Sequence, residues 1–204
     1  MIMGTRNTIV VTKTATKMKV FVLLLLFFRC YESTDSVEDY YWRDYKGLVP
    51  QDAIPNDGST SYDRITDETT YIGQFTVVSE YNQDVADLHT IVATINRGQK
   101  RAIAAYNGRT VYSNETSNLK VLCGKNLYSY SWRDPRSLFS SNCRFVIGGY
   151  EDNIPLYIGK ATKGKQVLVG KVFSDTSFHV EKLMAPYQGG EEKFDGYQLL
   201  TYCY

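Results

Sequence analysis

The chain has 204 residues, 43% of them hydrophobic, with 23 lysines and arginines against 22 acids, which is enough material for one or two compact units. Five of the bases (Arg6, Lys13, Lys17, Lys19, Arg29) and none of the acids lie in residues 1–30, so the remainder carries 18 bases against 22 acids, a charge of −4. That balance argues against nucleic acid or an anionic membrane as the main partner, since both require a basic face.

In chain order the first element is a leader. Lys17 and Lys19 precede nine apolar residues, Val20–Phe28, closed by Arg29-Cys30. A basic stretch followed by an apolar run of this length predicts a signal peptide over 1–30 and a secreted protein with no membrane anchor after cleavage. Nine residues fall well short of the roughly 20 that span a bilayer as a helix. Met18 offers a second start.

The rest reads as β-structure. With 17 tyrosines, five prolines and no helical periodicity, strands are predicted at Tyr71–Val78, His89–Ala93, Arg101–Ala105, Leu119–Cys123, Arg144–Ile147, Leu156–Ile158, Val167–Val169, Lys171–Ser174 and Tyr197–Tyr202. Turn signals separate them at Asn96-Arg97-Gly98, Asn107-Gly108, Gly148-Gly149, Lys163-Gly164, Gly189-Gly190 and Asp195-Gly196. The stretch 148–172 reads as a hairpin that brings Glu151 and Asp152 near Lys171 at a strand edge. At an edge, loss of Lys171 would leave the fold intact. Glu191-Glu192 reads as a solvated turn.

The chain also repeats itself. Tyr71-Ile72-Gly73-Gln74 matches Tyr157-Ile158-Gly159-Lys160, and Ala105-Tyr106-Asn107-Gly108 matches Pro186-Tyr187-Gln188-Gly189. Leu119–Leu122 corresponds to Tyr197–Leu200, and Trp42-Arg43-Asp44 recurs as Trp132-Arg133-Asp134. Ordered correspondences at nearly one spacing predict two tandem units, at 36–125 and 126–204, packed about a pseudo-twofold axis. A longer hairpin connection at Ser79–Asp87 accounts for the change in spacing. The two tryptophans, in repeated positions, are expected to pack rather than bind.

These residues, with Pro50-Gln51-Asp52-Ala53, Lys120–Cys123, Gly148-Gly149 and Val169-Gly170-Lys171-Val172, resemble the DM-nine repeat family over nearly the whole chain beyond the leader. The resemblance implies two interlocked antiparallel β-sandwich-like repeats and a recognition role in innate immunity. A mollusc member is a mannose-binding lectin that holds sugar hydroxyls with an acid and a lysine. That lysine matches Lys171, and the acid matches Glu151 or Asp152. In the first copy the acid matches Asp63 or Asp67, while the lysine position falls on His89-Thr90-Ile91.

A carboxylate accepts from vicinal hydroxyls and an ammonium donates to them, so the pair suits a polyol. Tyr150 or Tyr157 could stack on the ring. The expected ligand is a mannose-type glycan, and weak single-site binding calls for a homodimer or higher assembly. The alternative is an extracellular protein-interaction or structural component in which the sugar site has decayed.

Catalysis, cofactors and metal are not expected. No Gly-x-Ser-x-Gly, His-Glu-x-x-His or Walker loop occurs, and His89 and His179 stand apart from ligand-type neighbours. Asn114-Glu115-Thr116 is a glycosylation sequon if the chain is exported. Beyond the leader three cysteines remain, Cys123, Cys143 and Cys203; Cys123 and Cys143 could be bridged, and unpaired buried thiols are the alternative, which spacing alone does not decide.

Overall fold

The structure, a computed structural model, describes residues 40–203 except 59–65, 67, 83–84, 141 and 175–181. The leader, Asp63, Asp67 and His179 therefore lie outside the described residues.

The fold is all-β, and its strands form one fourteen-stranded antiparallel sheet. The first half of the chain supplies β1 (Tyr40–Asp44), β2 (Thr70–Asn82), β3 (Val85–Asn96), β4 (Ala102–Tyr106), β5 (Arg109–Tyr112) and β6 (Lys120–Gly124). The second supplies β7 (Tyr130–Arg133), β8 (Cys143–Phe145), β9 (Ile147–Glu151) and β10 (Ile154–Lys163). It continues with β11 (Gln166–Phe173), β12 (Leu183–Tyr187), β13 (Gly190–Phe194) and β14 (Gln198–Cys203). Among the described residues no helix is long and apolar enough to cross a membrane.

Tight turns set the hairpin registers. Asn107-Gly108, Asp152-Asn153 and Gln188-Gly189 all have positive φ, the backbone of two-residue turns that match strand twist. Gly164, also at positive φ, starts the turn between β10 and β11, where Lys163 pairs with Gln166. Gly148-Gly149, expected to be a turn, instead lies inside β9. Val167–Val169 and Lys171–Ser174, expected as separate strands, form the single strand β11. Ser79–Asp87 is a longer hairpin, as expected, because β2 and β3 run on into it, with Ser79 opposite Asp87.

The strand order is the same read from either half: β1-β6-β2-β3-β4-β5 meets β13-β12-β11-β10-β14-β7. Registers correspond too. Gly73 and Gln74 pair with Val121 and Lys120, as Gly159 and Lys160 pair with Leu199 and Gln198. Trp42 lies opposite Leu122 and Trp132 opposite Leu200.

Two junctions make this a closed structure rather than two sandwiches. Strand β5 pairs with β13 through Arg109 and Gly190, and β9 pairs with both β3 and β10. The path β3-β4-β5-β13-β12-β11-β10-β9 therefore returns to β3, a ring of eight strands. The main core draws on both halves, packing Phe75, Ile91, Ile95 and Leu122 with Leu156, Ile158, Val169 and Leu200. Neither half could bury that apolar surface alone.

Cys143 and Cys203 form a disulfide across the β8–β14 pair. Cys123, one of the candidates for bridging, is free and buried, and desolvation pushes its thiol up to about 12, away from nucleophilic chemistry. The bridge spans a sequence separation of 60 residues. Closing such a loop restricts the unfolded chain by about 4 kcal/mol. We expect Cys143→Ser to lower Tm by about 10 °C, as read by circular dichroism melting. A shift under about 3 °C would show that the unfolded chain is already restricted without the bridge.

Candidate functional site

Lys171 does not sit at an edge. It is held in the middle of β11, opposite Ile158 on one side and Met184 on the other. Ile158 belongs to the main core, so Lys171 lies on the face of β11 that packs against that core. The residue is 2% exposed. A lysine is almost never this buried unless it is paired.

Its partners come from other strands of the ring. Nζ donates to Glu151 of β9 at 2.5 Å and lies 3.7 Å from Oε1 of Glu191 on β13. The side chains of Glu151 and Glu191 are 14% and 7% exposed. The rings of Tyr106 on β4 and Phe173 lie 5.3 and 5.4 Å from the ammonium, within the range of cation–π attraction. The cluster combines one cation, two carboxylates and two aromatic rings.

Glu191 is half satisfied. Its Oε2 accepts from the backbone N–H of Gly108 at 2.7 Å, whereas Oε1 is buried and has no hydrogen-bond partner among the described residues. At 3.7 Å the gap to Lys171 Nζ is too long for a hydrogen bond. A hydroxyl placed between them could accept from the ammonium and donate to the carboxylate.

The β9–β10 turn borders the cluster. The backbone N–H of Asp152 donates to His89 Nδ1 at 3.1 Å, and the buried His89 ring lies 5.8 Å from that of Tyr106. The Asp152 carboxylate itself is largely exposed.

The structure thus brings Glu151 and Lys171 into contact, with Asp152 at the turn beside them. It does not bring the expected tyrosines. Tyr157 is opposite Val172, one residue from Lys171 and so on the other face of the sheet, where it packs on Phe145 with ring centroids 4.9 Å apart. Tyr150 precedes Glu151 on β9, points to the opposite face and is exposed. The aromatic role at Lys171 falls to Tyr106 and Phe173. Asp63 lies outside the described residues.

Glu191 was missed as a turn residue. It occupies β13, and the β5–β13 junction buries it. Nothing local in Gly189-Gly190-Glu191-Glu192 signals that pairing, because its partner is about 80 residues away. The counterpart of Lys171 also moves: Ile158 faces Lys171 as Ile72 faces Thr94, so the matching position is Thr94, not His89–Ile91.

Other expected features fall as follows. Trp42 and Trp132 are partly buried against the main core. The sequon residue Asn114 is exposed, its Oδ1 accepting from the Thr116 N–H at 3.0 Å. Among the described residues no group of three or more His, Cys, Asp or Glu side chains is placed to hold a metal ion.

The fold has a known structural relative, and the repeat a known family. No curated protein matches the chain. Among solved structures, the crystal structure of the nematode sperm cell motility protein MFP2B is similar with a TM-score of 0.51 at 13% identity. The likeness covers 79% of this chain and 46% of that one. The chain thus spans less than half of that protein's length, and at this identity the likeness concerns the fold alone. The model of the DM9 repeat covers residues 67–194, from β2 through β13. With more than half of its length under that model, the chain belongs to the DM9 repeat family.

Proposed function

We propose that this chain is a non-catalytic carbohydrate-binding protein, built from two copies of one repeat, that takes sugar hydroxyls at the Lys171–Glu151–Glu191 cluster. The observation that carries the reading is the buried Oε1 of Glu191, which has no hydrogen-bond partner among the described residues and lies 3.7 Å from the Lys171 ammonium. A buried polar atom left without a partner costs about 1–3 kcal/mol, and a ligand hydroxyl that completes both groups recovers it. Mannose-type glycans are the first class to test, from the family resemblance. Secretion and a role in innate immunity rest on the same resemblance and on the leader. A single small site gives weak affinity, so function would depend on multivalent display.

The test is a glycan array with the full chain and the triple variant Lys171→Met/Glu151→Gln/Glu191→Gln, whose cluster is neutral and so leaves no buried charge unpaired. Mannose-type signal lost in a folded triple variant supports the reading. Signal retained in that variant removes the site from it.

One observation favours a second reading, a protein-interaction surface. Val78 and Leu88 lie opposite one another on the β2–β3 hairpin and are exposed. Exposed Tyr150 continues their face, through the pairing of Thr90 with Tyr150. Silence of folded protein on the array would turn attention to this patch.

A further inference from the structure

The cluster has a counterpart elsewhere in the molecule, and it is built differently. The registers that set Lys171 opposite Ile158 and Met184 set Thr94 opposite Ile72 and Ile103. Tyr187 pairs with Gly190 as Tyr106 pairs with Arg109, which makes Tyr187 the counterpart of Tyr106 and Thr110 that of Glu191. Thr94, Thr110 and Tyr187 all line one cleft, with a cavity volume of about 580 Å³. Where one position holds an ion cluster, the other lines open space with hydroxyl-bearing side chains, of which Thr110 already donates to the Gly190 carbonyl at 2.8 Å.

Asn56 supplies an independent observation. It lines the same cleft, is 1% exposed, and neither its side-chain oxygen nor its nitrogen has a hydrogen-bond partner among the described residues. A buried amide normally finds partners for both atoms. Here a donor and an acceptor lie a few ångströms apart in one rigidly held group beside a cleft of ligand size.

We propose that this cleft is a second binding site, for a neutral polyhydroxylated ligand such as one pyranose residue, held by the Asn56 amide and the Thr94 hydroxyl against the Tyr187 ring. Adjacent hydroxyls of a sugar match the amide, one donating to its oxygen and the next accepting from its nitrogen. The charged residues along the cleft include two acids, Asp57 and Glu68, against Lys165, so an anion finds no basic cradle. An aromatic ring beside hydroxyl-bearing side chains suits one face of a pyranose. The choice of sugar as probe rests on the function proposed above; the site itself rests on the cleft and on Asn56. With both sites working, one chain would be bivalent.

The experiment is an NMR titration of the ¹⁵N-labelled full chain with methyl α-mannoside, methyl β-galactoside and N-acetylglucosamine, up to tens of millimolar. At least one of these is expected to move the backbone amides of Asn56, Thr94 and Tyr187 saturably. Asn56→Leu should weaken that response at least tenfold while raising Tm, because an unpartnered buried amide is replaced by an apolar group of similar size. Thr94→Val, at a half-buried position, gives a second variant whose folding is not at issue, and should weaken the response severalfold. The neutral triple variant of the Lys171 cluster should leave the cleft response unchanged. Cleft shifts without any response around Lys171 would support this site and sink the function assigned to the cluster. No cleft shift with any of the three sugars, or equal shifts in Asn56→Leu and Thr94→Val, would overturn the proposal.

Discussion

Lys171→Ala is expected to destabilise the fold by about 3–5 kcal/mol, the cost of breaking a buried ion pair by removing one partner. The substitution leaves Glu151 and Glu191 buried without the ammonium that lies 2.5 and 3.7 Å from them. It also opens space between the rings of Tyr106 and Phe173. The penalty therefore comes mainly from stranded carboxylates, not from lost attraction. Two features of urea unfolding follow. The midpoint should fall with little change in slope, since the surface exposed on unfolding is nearly the same. The neutral triple variant should recover most of the loss, because well-packed neutral side chains often replace a buried ion cluster without penalty. A loss below about 1 kcal/mol for Lys171→Ala, the range of exposed ion pairs, would mean that the cluster is solvated.

Gly149→Ala is the second substitution with a large expected effect. A Cβ at Gly149 would lie 2.0 Å from the backbone oxygen of Thr90. That contact is with main chain, which cannot rotate away as a side chain could. It lies where β9 meets β3 beside the Thr90–Tyr150 pair, the junction that closes the ring. We expect a cost at or above the top of the range of about 1–3 kcal/mol for overpacking, with faster hydrogen exchange along β9. Gly196→Ala is the control. Nothing lies within 4 Å of a Cβ there and its φ is not positive, so it should be neutral or stabilising by up to about 1 kcal/mol. Equal effects at the two positions would show that β9 is not a required part of the ring.

Gly149 also shows where local reading fails. A glycine pair signals a turn because glycine reaches positive φ, yet glycine is equally the residue that lets two backbones approach. Asn107-Gly108 and Lys163-Gly164 are of the first kind and were legible. Gly148-Gly149 is of the second, and only the tertiary contact with Thr90 reveals it.

The repeat was legible because both halves keep the same pairings, and β-strands tolerate little register error when one face is buried. The lysine counterpart was not. Gly73 pairs with Ala93, twenty residues on, whereas Gly159 pairs with Gly170, eleven on. The next hairpin reverses part of this: Thr94 to Ile103 is nine residues, Lys171 to Met184 thirteen. A spacing difference of five thus conceals two opposite length changes of nine and four. Placing the whole difference before β3 put the position on His89–Ile91 instead of Thr94. Glu191 and Cys203 were illegible for a related reason: what buries one and bonds the other comes from strands remote in sequence.

Isothermal titration of mannose into the full chain and into Glu191→Gln, each carrying Asn56→Leu so that the cleft contributes little heat, addresses the cluster most directly. Glutamine keeps the size of the side chain and still accepts from Gly108, but it replaces the carboxylate that faces Lys171. A saturable heat with Glu191 intact, weakened at least tenfold in a Glu191→Gln protein of unchanged near-UV circular dichroism, is the predicted result. Equal affinity in the two proteins, or no heat at any concentration of sugar, would contradict a ligand role for the Lys171–Glu191 pair.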